Sequence, residues 1–178
     1  MTLLGIDLIF PGYPGFVPGT LLAVVISFVV NGLVSKALYV RRSLALGIII
    51  TLGLILSATL TVGGEGLIHG ISDVKCCNFK RLMLAPVAEL LAVNETSLNV
   101  FLFVPFGLAI GLIHRSPRKV SILVTAFFLP FGIETVQLLM PVMNRTCQSA
   151  DVIDNLFGLV VGFLLGTLIT LLTKKTIE

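Results

Sequence analysis

Five stretches of this chain are apolar for long enough to cross a membrane, and no other feature limits its fold so strongly. They run approximately from Phe16 to Tyr39, Ser43 to Val62, Leu98 to Ile113, Val120 to Met140 and Val152 to Thr173. Hydrocarbon offers a backbone amide no partner, so a spanning segment must satisfy its own hydrogen bonds as a helix of about 20 residues. The third run is a little short for this, and the fourth carries Pro130 and Glu134 inside it. Charged residues make up 12% of the 178, about half of the ~25% usual in a soluble domain. With a mean hydropathy of +1.09, the chain has too little polar surface to wrap a water-soluble core. The fold class that follows is all-α: a polytopic membrane helix bundle, one integral membrane domain over residues 1–178 without internal repeats. A net charge of +3, scattered along the sequence, points away from nucleic acid.

Lys and Arg near span ends favour the cytoplasmic side. With the N-terminus outside, Lys36, Arg41, Arg42, Arg115, Arg118, Lys119, Lys174 and Lys175 fall inside, and Lys75, Lys80, Arg81 and Arg145 outside. This asymmetry predicts an outer N-terminus, an inner C-terminus and an outer loop over 63–97. Every acidic residue except Glu178 then lies in or near the outer half. The first sixteen residues lack the basic region of a secretory signal and read as a short outer lead-in. Phe79 to Val93 has enough Leu, Val and Ala to lie along the membrane interface as a helix interrupted at Pro86, or to form an irregular loop.

Cys76, Cys77 and Cys147 share the outer, oxidising side in this topology. A disulfide from Cys147 to either Cys76 or Cys77 is therefore chemically allowed, with three free thiols as the alternative. His69 and His114 fall on opposite sides, and neither has further ligands at a metal-binding spacing, so no metal is expected. No Gly-x-Ser-x-Gly elbow, phosphate-binding loop or His-Glu-x-x-His helix occurs. Neither a catalytic residue nor a cofactor is assigned.

Ionisable groups inside a span are expensive, at about 2.5–3.5 kcal/mol for a charge at the helix centre, so each asks for a partner or a purpose. Here they cluster towards the outer ends of spans three, four and five. Pro130, Glu134, Gln137 and Pro141 share one face of span four, and Asp151, Asp154, Asn155, Gly158, Gly162 and Gly166 share one stripe of span five. The three glycines form a ladder on which another helix can pack closely. Span three adds Asn99, in line with Phe103, Phe106 and Ile110, and its Pro105 and Gly107 are expected to loosen the helix below. Arg145, between spans four and five, is the nearest cation, able to neutralise Glu134 or Asp151 or to grip a ligand anion. Asp151 is also well placed to cap the helix of span five.

Asn99 to Gly107 (NVFLFVPFG), then Glu134-x-x-Gln137, then Arg145 followed by Asp151, Asn155, Gly158 and Gly162, resembles the VanZ-like family. The resemblance implies a small multi-pass protein of the bacterial plasma membrane, in a family whose founding member is associated with teicoplanin resistance; it supplies no reaction. Members often carry an acidic residue between the Arg and the Asp that precedes the Asn. Here that position reads Gln148, while Asp154 stands immediately before Asn155.

The leading expectation is a ligand-binding membrane protein with an outward-facing polar pocket. Its partners would be membrane lipids and an amphiphile such as a lipid-linked wall precursor or a lipoglycopeptide. The tail would stay in lipid while Asn99, Glu134, Gln137, Arg145, Asp151, Asp154 and Asn155 meet the head. Two alternatives stand beside it: an enzyme acting on a lipid-linked substrate, with Glu134 and Asp151 dividing the acid and base roles, and a structural subunit in which the glycine ladder packs against another protein.

Overall fold

A computed structural model describes residues 15–61, 76–114, 116–140, 143 and 146–175. The lead-in through residue 14, His69, Arg115, Pro141 and Arg145 lie outside the described residues, as do the side chains of Lys174 and Lys175. The elements are all helical: α1 (Phe16–Leu38), α2 (Arg42–Thr59), α3 (Val87–Leu91), α4 (Glu95–Gly111), α5 (Lys119–Leu139) and α6 (Ser149–Lys175). α1, α2, α5 and α6 are long and apolar enough to cross a membrane, and α4 is a shorter apolar helix. At 17 residues α4 rises about 26 Å, a little less than a hydrocarbon core.

Helix boundaries follow local chemistry. α4 begins three residues before the apolar run because Asn94 and Ser97 form a reciprocal capping box, each side chain bonding the other's backbone N–H. α1 ends at Tyr39, which turns into the left-handed region with φ 55°. The Arg118 guanidinium lies over the Tyr39 ring, and Ser116 Oγ donates to the Leu38 carbonyl. These contacts bring the α1–α2 turn and the α4–α5 turn, with Arg41, Arg42 and Lys119, to one end of the bundle. The segment Phe79 to Val93 is irregular up to Pro86, which precedes the short α3.

Two close helix pairs organise the packing. α1 and α2 run antiparallel, with Gly15 against Thr61, Gly19 against Ser57 and Gly53 against Ala23. α4 and α6 run parallel and are pressed together by glycines on both. A Cβ on Gly158, Gly162 or Gly166 would collide with the carbonyl oxygens of Val100, Val104 and Leu108 respectively. A Cβ on Gly107 or Gly111 would meet those of Leu159 and Phe163. The partner of the α6 ladder is thus α4 of the same chain, and Gly107 packs against α6. Pro105 sits on the exposed side of α4, where its missing N–H does not interrupt that contact. The core gathers around α4, with Phe103, Phe106 and Ile110 meeting Ile48 and Ile55 of α2, Ile133 of α5 and Leu159 of α6.

Candidate functional site

At the end of the bundle opposite the basic turns, the loop before α3 is fastened to the start of α6. Cys77 and Cys147 are joined by a disulfide with their Cα atoms 4.6 Å apart, while Cys76 is an exposed free thiol. One residue on, Asn78 N donates to the Cys147 carbonyl at 2.8 Å and Ser149 N donates to the Asn78 carbonyl at 3.0 Å, a single parallel bridge. Ser149 Oγ donates to the Arg81 carbonyl at 2.8 Å. Arg81 then reaches Asp154 with its two terminal guanidinium nitrogens, a planar fork on a carboxylate that is wholly buried. That hydrogen bond holds the guanidinium above its ordinary pKa.

Of the residues expected from sequence, Asn99 Nδ2 donates to Asp151 Oδ1 at 2.9 Å, linking α4 to α6. Glu134 is buried and its Oε2 accepts from the Gln148 backbone N–H at 2.7 Å. Gln137, also buried, donates to the Thr59 carbonyl at the end of α2, at 2.9 Å. Asn155 is buried, and its Oδ1 has no hydrogen-bond partner among the described residues. Gly158, Gly162 and Gly166 pack helix to helix as described above. Arg145 is not described. Asp151 is not the cap of α6: the helix starts at Ser149, which puts Asp151 inside the first turn, where its charge still favours the helix dipole. The earlier start follows from the backbone anchoring of residues 147–149 to Asn78.

Above these groups lies a polar cleft of about 190 Å³, lined by Asn78, Lys80, Arg81, Glu95, Thr96, Gln148, Ala150 and Asp151. Among the described residues, Asp151 alone of those expected from sequence lines it. Asn99 is bonded to Asp151, and Asp154 to Arg81, so two more stand directly behind its wall. Glu134 supports it indirectly, through the backbone of Gln148. The cleft presents two cationic side chains and two carboxylates, a mixture suited to a polar head with both anionic and donor groups. Among the described residues no three His, Cys, Asp or Glu side chains converge as metal ligands.

Sequence reasoning took Arg145 as the cation of this cluster, whereas the guanidinium meeting an acid of α6 among the described residues is Arg81. A separation of 73 positions from Asp154 hides that pairing. Its signal was nonetheless present. Once Cys77 is bonded to Cys147, Arg81 and Asp154 lie only a few residues beyond the bridge on each side, and a buried aspartate demands a cation. Lys80 and Asn78 follow from the same reasoning.

A family model described as VanZ/LLP1 matches residues 67–170, more than half of the chain. That stretch takes in the disulfide, the Arg81 loop, α3, α4, α5 and most of α6, and leaves out α1 and α2. No match was found among curated proteins, and none among solved structures. The region matched is the one that builds the cleft and its buried polar support: the chain belongs to the VanZ/LLP1 family.

Proposed function

We propose that this protein resides in the bacterial plasma membrane, with the cleft facing outward, and binds the polar head of an amphiphilic envelope ligand there. The observation that carries the reading is a polar cleft of about 190 Å³ at one end of an otherwise apolar helix bundle. Two of its lining side chains are held from behind, Arg81 by an ion pair with Asp154 and Asp151 by a hydrogen bond from Asn99. Ionisable groups buried in a membrane bundle are costly to keep and commonly mark a working site. The volume takes a diphosphate or a single sugar of a head group rather than a whole lipid, so the rest of the head and the tail stay outside the cleft. A lipid-linked wall precursor and a lipoglycopeptide both have this shape, and binding either would fit a role in tolerance to lipoglycopeptide antibiotics. The outward orientation is supported by the basic residues gathered at the opposite end.

Mass spectrometry of the lipids retained by the protein, purified in mild detergent from its native membrane, tests the proposal. The expected result is enrichment of one amphiphile class over its share of the membrane, lost in Asp151→Asn. Retained lipid that merely mirrors bulk phospholipid, in wild type and variant alike, would leave the polar cluster with a structural role.

A further inference from the structure

Between the disulfide and the start of α4 the chain carries an apolar surface that no element among the described residues covers. Phe79, Leu82, Met83, Val87, Leu91 and Val93 are all exposed, although they belong to no membrane-spanning helix. Met83 is 77% exposed, the same as Val29 on α1, a helix buried on one side only. A surface bathed in water rarely gathers so many large apolar side chains.

Anchors at both ends fix the height of this segment. At its start, Cys77, Asn78 and Arg81 are bound to residues 147–154 of α6 and its approach, which leaves the side chains of Phe79, Leu82 and Met83 on the free side. At its end, Asn94 caps α4, and its Nδ2 donates to the Glu89 carbonyl at 3.0 Å. α4 and α6 run parallel with Val100 beside Gly158, so both attachments stand at the same end, near the first apolar turns of two membrane helices. Helices that cross a bilayer bring the boundary between lipid head groups and acyl chains to the height of their first apolar turns. Lys80, exposed among these residues, can extend its ammonium to the phosphate level.

We infer that residues 79–93 form a membrane-surface element whose partner is the bilayer leaflet at the cleft end of the bundle. Its apolar side chains lie among the upper acyl segments and its backbone among the head groups. Asn78, Lys80 and Arg81 also line the cleft, so one wall of the cleft stands at head-group level and an amphiphile can enter it sideways from the leaflet. That consequence rests on the proposed function, whereas the membrane-surface location does not.

The sequence contains no Trp, so Met83→Trp and, separately, Val87→Trp each create a single fluorescent reporter. The two variants are reconstituted in phosphatidylcholine and phosphatidylglycerol nanodiscs, with and without lipids brominated high on the acyl chain, and titrated with iodide. The expected result is at least about twofold quenching by the brominated lipid and shielding from iodide, as a depth of ~5–10 Å requires. Val29→Trp on α1 supplies the lipid-exposed reference, and N-acetyltryptophanamide the aqueous one. Quenching by iodide with no response to bromine would place the segment in water and overturn the inference. Shielding from both quenchers would mean that protein, such as a second copy of the chain, covers the surface, which overturns it equally. Val87→Trp, in α3, carries the test if Met83→Trp fails to fold.

Discussion

Replacing Arg81 by alanine strands a carboxylate that water cannot reach. Asp154 is wholly buried, while the Arg81 side chain is 28% exposed, so the two halves of the ion pair are not equivalent. Removing one partner of a buried pair costs about 3–5 kcal/mol, because the remaining charge keeps its desolvation penalty without compensation. The open side of Arg81 lets some water follow into the vacated space, which puts Arg81→Ala near the lower end, about 3 kcal/mol. Asp154→Asn removes the charge but keeps a carbonyl to accept from the guanidinium, and the exposed edge of Arg81 stays hydrated. Its cost is that of one weakened hydrogen bond, about 1 kcal/mol. The double variant, with no stranded charge, costs little more than Asp154→Asn alone, which gives a coupling approaching about 3 kcal/mol in a double-mutant cycle. Unfolding in mixed dodecylmaltoside and SDS micelles, followed by circular dichroism, measures all four proteins. If Asp154→Asn destabilises as much as Arg81→Ala, or the coupling is below about 0.5 kcal/mol, the pair is not the fastening described here.

The parallel glycine contact predicts that Gly162→Ala, whose Cβ would strike the Val104 carbonyl oxygen, destabilises by about 1–3 kcal/mol in the same assay. Gly132→Ala, with nothing within 4 Å of the new methyl, is neutral or stabilises by up to about 1 kcal/mol. Cys77→Ser opens a loop of 70 positions and loses at most about 4 kcal/mol by loop-closure arithmetic, less if the unfolded chain stays in the micelle. Peptide mapping without reductant identifies the Cys77–Cys147 bond independently. Cys76, exposed and unbonded, is expected to react with a membrane-impermeant maleimide in intact cells; labelling only after permeabilisation would invert the orientation. Glu134→Gln keeps an oxygen for the Gln148 N–H, so detergent thermal stability shifts little while ligand retention is abolished; retention at the wild-type level would remove this carboxylate from the site.

The spans were legible because a helix that is apolar on all sides needs no periodicity to be recognised; length suffices. The α6 ladder was equally plain, since Gly158, Gly162 and Gly166 repeat at every fourth position. Its mate on α4 was harder to see: Pro105 suggested a loosened helix, whereas it sits on the exposed side and leaves Gly107 and Gly111 free to pack. Helix starts shifted by three residues in α4 and α6 because capping by Asn94 and anchoring by Asn78 act through polar residues that an apolar window discards. Asn99 with Asp151 was foreseeable from two polar stripes at one level. The cleft was not, because three of its eight lining residues, Asn78, Lys80 and Arg81, come from a loop distant in sequence, and the cysteines alone signal that this loop meets α6.

The central claim is that the cleft beside α4 and α6 holds the head of an amphiphile. Equilibrium binding to the protein in nanodiscs tests it most directly, with a polyprenyl-diphosphate-linked saccharide and a lipoglycopeptide as separate probes. Saturable binding of at least one probe is predicted, weakened about tenfold, or 1.4 kcal/mol, by Lys80→Ala or Asp151→Asn and unchanged by Gly132→Ala. Absence of saturable binding by both probes, or binding that neither Lys80→Ala nor Asp151→Asn alters, would contradict the account.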